Sequence, residues 1–182
     1  LTRSILSIYL MKKIILIGYM GSGKSTIAKK LGEALHLQFI DLDDYIEKNE
    51  NLSIKKLFED HKEIKFRKLE HHYLKELISN PDSFVLSLGG GTPCYANNLL
   101  MLQADHITSV YLKASIATLT KRLEDQKDSR PLLANQPDDE LAEFIAKHIF
   151  ERSYFYTQAT HTLNIDGKSI ETIVREITDL NR

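Results

Sequence analysis

Cysteine is nearly absent from this sequence, Cys94 being the single one in 182 residues. One thiol cannot close an intramolecular disulfide, which fits a reducing compartment and excludes a cysteine-rich zinc module. No His/Cys spacing resembles a zinc site either. A surplus of one charge is also missing: 24 Lys and Arg stand against 25 Asp and Glu, a formal net charge of −1. Nothing basic advertises nucleic acid or an anionic membrane surface, so a local basic patch would serve a small anion. Long apolar runs are lacking as well. Ile5 to Met11 is too short to span a membrane, and Lys12-Lys13 interrupts it. No small-residue cleavage site follows, so no signal peptide is expected.

What is present is an ordinary globular composition, 42% hydrophobic and 27% charged, which excludes collagen-like, coiled-coil and wholly disordered chains. The length suits one compact domain. Met11-Lys12-Lys13 before an apolar run reads as a natural start. Residues 1–10 are therefore expected to be an upstream or vector-derived extension, and 11–182 a single domain.

Strand and helix patterns alternate along that domain. Short apolar runs at Lys13 to Gly18, Gln38 to Asp41, Ser83 to Leu88, Ile107 to Leu112 and His161 to Ile165 predict five strands. Apolar residues at helical spacing predict helices from Lys24 to His36, after Ser53, through Phe66 to Leu77, and around Asn97 to Gln103. Further helices are expected from Ile116 to about Asp125, from Leu141 past Ile149, and over Ile170 to Ile177. Ser53 and Ser115 stand where helix caps belong. Such alternation implies an α/β fold with a parallel sheet covered on both faces. Between Gln126 and Pro137 the periodicity stops, which marks a lid or an irregular segment.

Gly18-Tyr19-Met20-Gly21-Ser22-Gly23-Lys24-Ser25-Thr26 fits the pattern G-x-x-x-x-G-K-[ST] between a strand and a helix. In that context, glycines let backbone N–H groups wrap a polyphosphate at the positive end of a helix. Lys24 can reach the terminal phosphates and Ser25 can coordinate Mg²⁺. Asp41 and Asp43 close the second strand two residues apart, hence on one face of its end, beside the phosphate loop. One of them can hold Mg²⁺ through water and the other can orient an attacking hydroxyl. Asp44 reads as a capping, solvated carboxylate.

Gly89-Gly90-Gly91 ends a strand at an entropic cost, which favours close approach of backbone to a ligand. Arg67, Arg122, Arg130 and Arg152 offer guanidinium forks to anions, and Arg67 can also pair with Glu70 at i+3. His71-His72 reads as solvated, His148 as packing and Cys94 as an inert small side chain.

Together these residues resemble the shikimate kinase family. The resemblance rests on the phosphate loop, Asp41-Leu42-Asp43, Ser53-Ile-x-x-Leu-Phe58, Glu63-x-x-Phe66-Arg67-x-x-Glu70, Leu88-Gly-Gly-Gly91 and Arg130-Pro-Leu-Leu133. The match runs in order from about Met11 to Leu180, nearly the whole chain. The phosphate loop is shared by many kinases, whereas the combination is much more specific. It implies a three-layer α/β/α P-loop kinase with a five-stranded parallel sheet, a substrate-binding helical region at about 43–75 and a lid at about 126–137. It also implies MgATP-dependent phosphorylation of the 3-hydroxyl of shikimate, in aromatic amino-acid biosynthesis.

By motif, Lys24, Asp43 and Arg130 would be catalytic. Gly21, Ser22, Gly23, Lys24, Ser25 and Thr26 would hold ATP, with Arg122, Arg130 and Lys168 beside it. Asp43, Arg67, Gly89, Gly90, Gly91 and Arg152 would bind shikimate. Ser25 would hold Mg²⁺ directly and Asp41 through water. A cytoplasmic monomer without nucleic-acid or membrane partners is expected.

The family usually has Gly where Asn51 and Lys62 stand, so turns of the substrate region are expected to differ. Gluconate kinase, acting on another polyol carboxylate, is the enzymatic alternative. A catalytically dead shikimate-binding scaffold is disfavoured by Lys24, Asp43 and Arg130 occurring together. A GTP-type switch would need Asn-Lys-x-Asp, and the sequence holds no Asn-Lys pair.

Overall fold

The computed structural model describes residues 12–124, 126, 133, 137 and 139–180, of which 60–62 by backbone alone. Five strands form one sheet: β1 (Lys13–Ile17), β2 (Gln38–Asp41), β3 (Phe84–Ser87), β4 (Ile107–Lys113) and β5 (His161–Asn164), in the order β2-β3-β1-β4-β5. All neighbours pair in parallel, with Leu16 of β1 opposite Ser87 of β3 and Val110 of β4. β1 is buried at every residue because helices cover both faces of a parallel sheet, which is why its sequence is a continuous apolar run.

Helices α1 (Lys24–Leu35), α2 (Leu42–Glu50), α3 (Ile54–Ser79), α4 (Asn98–Leu102), α5 (Ile116–Glu124), α6 (Leu141–Thr157) and α7 (Ile170–Leu180) connect the strands. A short 3₁₀ turn covers Thr92–Cys94. The core collects Ile14, Leu16, Leu31, Leu74, Leu112, Leu123 and Ile177, each fully buried. No helix among the described residues is long and apolar enough to cross a membrane.

The expected five-stranded parallel sheet is present. Ser53 and Ser115 cap as read: Ser53 Oγ accepts from Lys56 N and Ser115 Oγ from Thr118 N, each at 3.2 Å. The two helical patterns after Ser53 are one helix, α3, because no glycine or proline interrupts them.

Two readings need correction at the end of β2. Asp41 and Asp43 do not share a strand face, since the helix begins at Leu42 and places Asp43 in its first turn. Asp41, not Asp44, is the cap, accepting from Asp43 N at 3.1 Å. Asn51 ends α2 at φ 55°, in the left-handed region. Glycine is free there and asparagine is among the few other residues to adopt it, so Asn51 keeps the turn.

Chain order reverses around β1, whose neighbours β3 and β4 both come later in sequence. The crevice beyond the strand ends at such a point is where ligands bind in sheets of this kind.

Candidate active site

The phosphate loop leaves β1 in turns only glycine enters easily: Gly21 at φ 78° and Gly23 at φ 89°. Gly23 then starts α1, which sets the loop at a helix N-terminus. Lys24 is nearly buried and its Nζ donates to the Tyr19 carbonyl at 3.0 Å, which folds the ammonium back over the loop. Ser25 Oγ donates to Asp41 Oδ2 at 2.7 Å and lies 3.3 Å from Ser87 Oγ. The buried Ser22 hydroxyl has no hydrogen-bond partner among the described residues. Arg122 donates to the Gly21 carbonyl at 3.1 Å, and Lys168 pairs with Glu176 at 2.6 Å. A cavity of about 680 Å³ runs over this surface, and Thr26, Arg122, Lys168, Asp41, Asp43 and Gly90 are among its walls. The expected nucleotide-side residues Gly21 to Thr26, Arg122 and Lys168 are thus together.

A second cluster abuts the first. Arg67 donates from Nη1 to Glu70 at 2.7 Å and from Nε and Nη2 to Glu63 at 3.3 and 3.1 Å. Its guanidinium lies 4.3 Å from the centre of the Tyr95 ring, a cation–π contact. The three glycines have ordinary φ values here. Their purpose is space: a Cβ on Gly91 would sit 2.9 Å from both Nη atoms of Arg67, and one on Gly89 3.1 Å from Glu70 Oε1. The close approach seen is to the protein's own side chains, where approach to a ligand was expected.

Arg152 reaches the other side of that loop from α6. It lies over the Tyr19 ring at 5.7 Å and contacts the Tyr156 hydroxyl, which donates to the Gly90 carbonyl at 2.6 Å. Arg67, Gly91 and Arg152 border the cleft without lining the 680 Å³ cavity.

Asp43 stands between the clusters. Its Oδ1 is buried without a hydrogen-bond partner among the described residues and faces the position a Gly89 Cβ would take, at 3.4 Å. Burial first, then the nearby charges of Asp41 and Glu70, push its carboxyl up to about 7, against the pull of Lys24 and Arg67. A carboxylate titrating near neutrality in a cleft suits a proton acceptor. Burial also pushes the Cys94 thiol up to about 11, with Arg152 and Arg67 opposing; this agrees with an inert cysteine.

Arg130 lies outside the described residues, as does most of the expected lid at 126–137. His148 packs as read, tilted against Phe144 and edge to ring with Tyr19, 3.2 Å from the Tyr19 hydroxyl. His71 does not stand free in solvent: its Nδ1 meets Asn98 Oδ1 at 2.8 Å, because α4 folds back against that face of α3. Sequence reasoning missed Tyr156 and Ser87. The i, i+4 spacing from Arg152 to Tyr156 could have signalled the first. Ser87 was a polar residue in a buried strand, and only its register beside β1 gives it meaning.

A family model described as shikimate kinase matches residues 20–181. A shikimate kinase of Flavobacterium johnsoniae is 54% identical over 170 residues, spanning 93% of this chain and 99% of the relative. The crystal structure of shikimate kinase from Bacteroides thetaiotaomicron superposes with a TM-score of 0.85 at 37% identity, covering 93% of this chain and 98% of that one. Shikimate kinase from Acinetobacter baumannii, solved in complex with shikimate, gives a TM-score of 0.83 at 29% identity, covering 96% and 95%.

Proposed function

The chain belongs to the shikimate kinase family and is an ATP-dependent kinase, and from that premise we propose how its residues divide the transfer of the γ-phosphoryl group of ATP to the 3-hydroxyl of shikimate. The backbone of Gly21 to Thr26 cradles the polyphosphate, and Lys24 exchanges the Tyr19 carbonyl for phosphate oxygen. Asp43 accepts the acceptor hydroxyl at its unpartnered Oδ1, orients it toward the phosphate loop and takes its proton. Arg67 and Arg152 take the carboxylate of shikimate from two sides, and Gly89 to Gly91 let the ring lie close. Positioning and charge stabilisation account for most of such catalysis, and no covalent nucleophile is needed.

Mg²⁺ fits the oxygen donors present. Ser25, Asp41 and Ser87 bring two hydroxyls and one carboxylate together at the loop. Few protein ligands, with water and phosphate completing the shell, is the usual manner of binding this hard cation. Ser25 would hold it directly and Asp41 through water. When bound, it would neutralise charge on the phosphate oxygens.

The observation that carries this reading is the buried, unpartnered oxygen of Asp43, set between Lys24 and Arg67. ADP release is the test, measured with shikimate and separately with gluconate in the presence of Mg²⁺. Shikimate-dependent turnover at least a hundredfold above the gluconate rate is expected, since a site with matched polar partners rejects analogues strongly. An intact, ATP-binding preparation without shikimate-dependent turnover rejects it. A reducing, cytoplasmic setting is in line with its single thiol.

A further inference from the structure

A closed circuit of hydrogen bonds lies behind Arg67. Glu70 is 1% exposed and both its oxygens are engaged, Oε2 by Arg67 Nη1 and Oε1 by the hydroxyl of Thr92. Thr92, fully buried, begins the 3₁₀ turn directly after the glycines. Its carbonyl accepts from Asn98 Nδ2 at 2.8 Å. Asn98, also fully buried, begins α4, and its Oδ1 meets His71 Nδ1 at 2.8 Å. His71 follows Glu70 on α3, so the circuit returns to where it started.

The bonding fixes every orientation in it. Asn98 donates to Thr92 and must therefore present its oxygen to His71, which donates from Nδ1. Thr92 has its hydroxyl proton committed to Glu70. The turn at Thr92 and the start of α4 at Asn98 are thereby fastened to α3 around one buried carboxylate, and among the described residues the ion pair of that carboxylate is with the guanidinium of Arg67, at 2.7 Å. Burying a carboxylate is costly unless it is fully bonded. Here each of its oxygens has a partner, and the side facing the cleft is an arginine with two of its five N–H groups left over from Glu63 and Glu70.

We propose that Thr92 and Asn98 are positioning residues for recognition of the acceptor's carboxylate: they lock Glu70, and Glu70 holds the Arg67 fork toward the cleft. Neither residue touches the reacting atoms. This rests on the reading that Arg67 binds the carboxylate of shikimate.

The test compares Thr92→Val, which keeps shape and removes the hydroxyl, with Thr92→Ser, which keeps the hydroxyl. For Thr92→Val the KM for shikimate should rise roughly tenfold while the KM for ATP stays within about twofold; Thr92→Ser should restore most of the difference. A merely structural loss is separated by a second substrate, the methyl ester of shikimate. Thr92→Val should shrink the preference for the acid over the ester, because the ester never used the charge of Arg67. Should Thr92→Val not be recovered folded, Asn98→Asp serves the same comparison, since it sets a carboxylate against the Thr92 carbonyl.

Arg67→Ala separates the two levels of inference. If it leaves the KM for shikimate unchanged, the carboxylate reading itself is wrong. If Arg67→Ala raises that KM and Thr92→Val either leaves it unchanged or lowers acid and ester turnover equally, the positioning role is overturned. In the double variant the two losses should not add.

Discussion

The two halves of the cleft are made of different material. The half proposed for the nucleotide is mostly backbone, one continuous stretch from Gly18 to Ser25 with positive φ at Gly18, Gly21 and Gly23. The acceptor half is side chains, brought from α2, α3, the turn after β3, and α6. Glycine serves both, for unlike reasons. Gly21 and Gly23 are needed for positive φ, whereas Gly89 and Gly91 are needed because Glu70 and Arg67 occupy the volume a Cβ would take. A backbone-built site is encoded by one short string; a side-chain-built site is encoded by residues that only the fold makes neighbours.

The sharpest way to probe the boundary between the halves is Asp43→Asn. Turnover should fall on the order of 10² to 10⁴-fold, the range for loss of a general base, with nucleotide affinity nearly intact. Wild-type kcat/KM for shikimate should fall as pH drops through about 7, because protonation of Asp43 removes the acceptor; at pH 6 about a tenth should remain. The variant should lose that dependence. Stability runs the other way. The folded carboxyl binds its proton more tightly than the unfolded one, so its contribution is full below an ordinary carboxyl's range and is lost as pH rises to about 7. Asp43→Asn should therefore melt higher than wild type at pH 8, which calorimetry would show.

Two glycine substitutions should then split cleanly. Gly91→Ala pushes on the guanidinium of Arg67 and should raise the KM for shikimate about tenfold, leaving ATP alone. Gly21→Ala meets a positive φ and the Leu123 side chain at 2.9 Å, so it should weaken ATP and cost about 1–2 kcal/mol of stability. If both variants impair both substrates equally, the halves are not separable in this way. The smallest effect concerns Cys94, whose raised pKa predicts alkylation at pH 8 much slower than for an exposed thiol, with little change on ligand addition.

Much of this fold could be read from sequence. β1 and α1 announce themselves by a buried run and helical spacing, and all five strands fall within a residue or two of their expected ends. The phosphate loop was legible for the reason given above: its chemistry is contiguous. Asp43 was legible as a type but misplaced, because alternation along a strand says nothing once the chain turns into a helix at Leu42. His71 misled, since its neighbours in sequence are charged while its neighbour in space is Asn98, 27 positions away. Tyr156 was signalled only by its i, i+4 spacing from Arg152, and Ser87 carries no local pattern that distinguishes it from a core residue.

Helix α3 also sets a rule for how this chain can change length. Arg67, Glu70 and His71 share one uninterrupted helix with Tyr73, Leu74 and Leu77, which are buried in the core only a turn or so further on. Each residue added to a helix rotates everything beyond it by about 100°. One codon inserted between Glu70 and Tyr73 would swing the guanidinium out of the cleft while every residue type survived. The turn at 51–53, outside any helix, has no such arithmetic to respect. Descendants of this chain should accordingly gain and lose residues there while the count from 67 to 77 stays fixed, even where the letters drift.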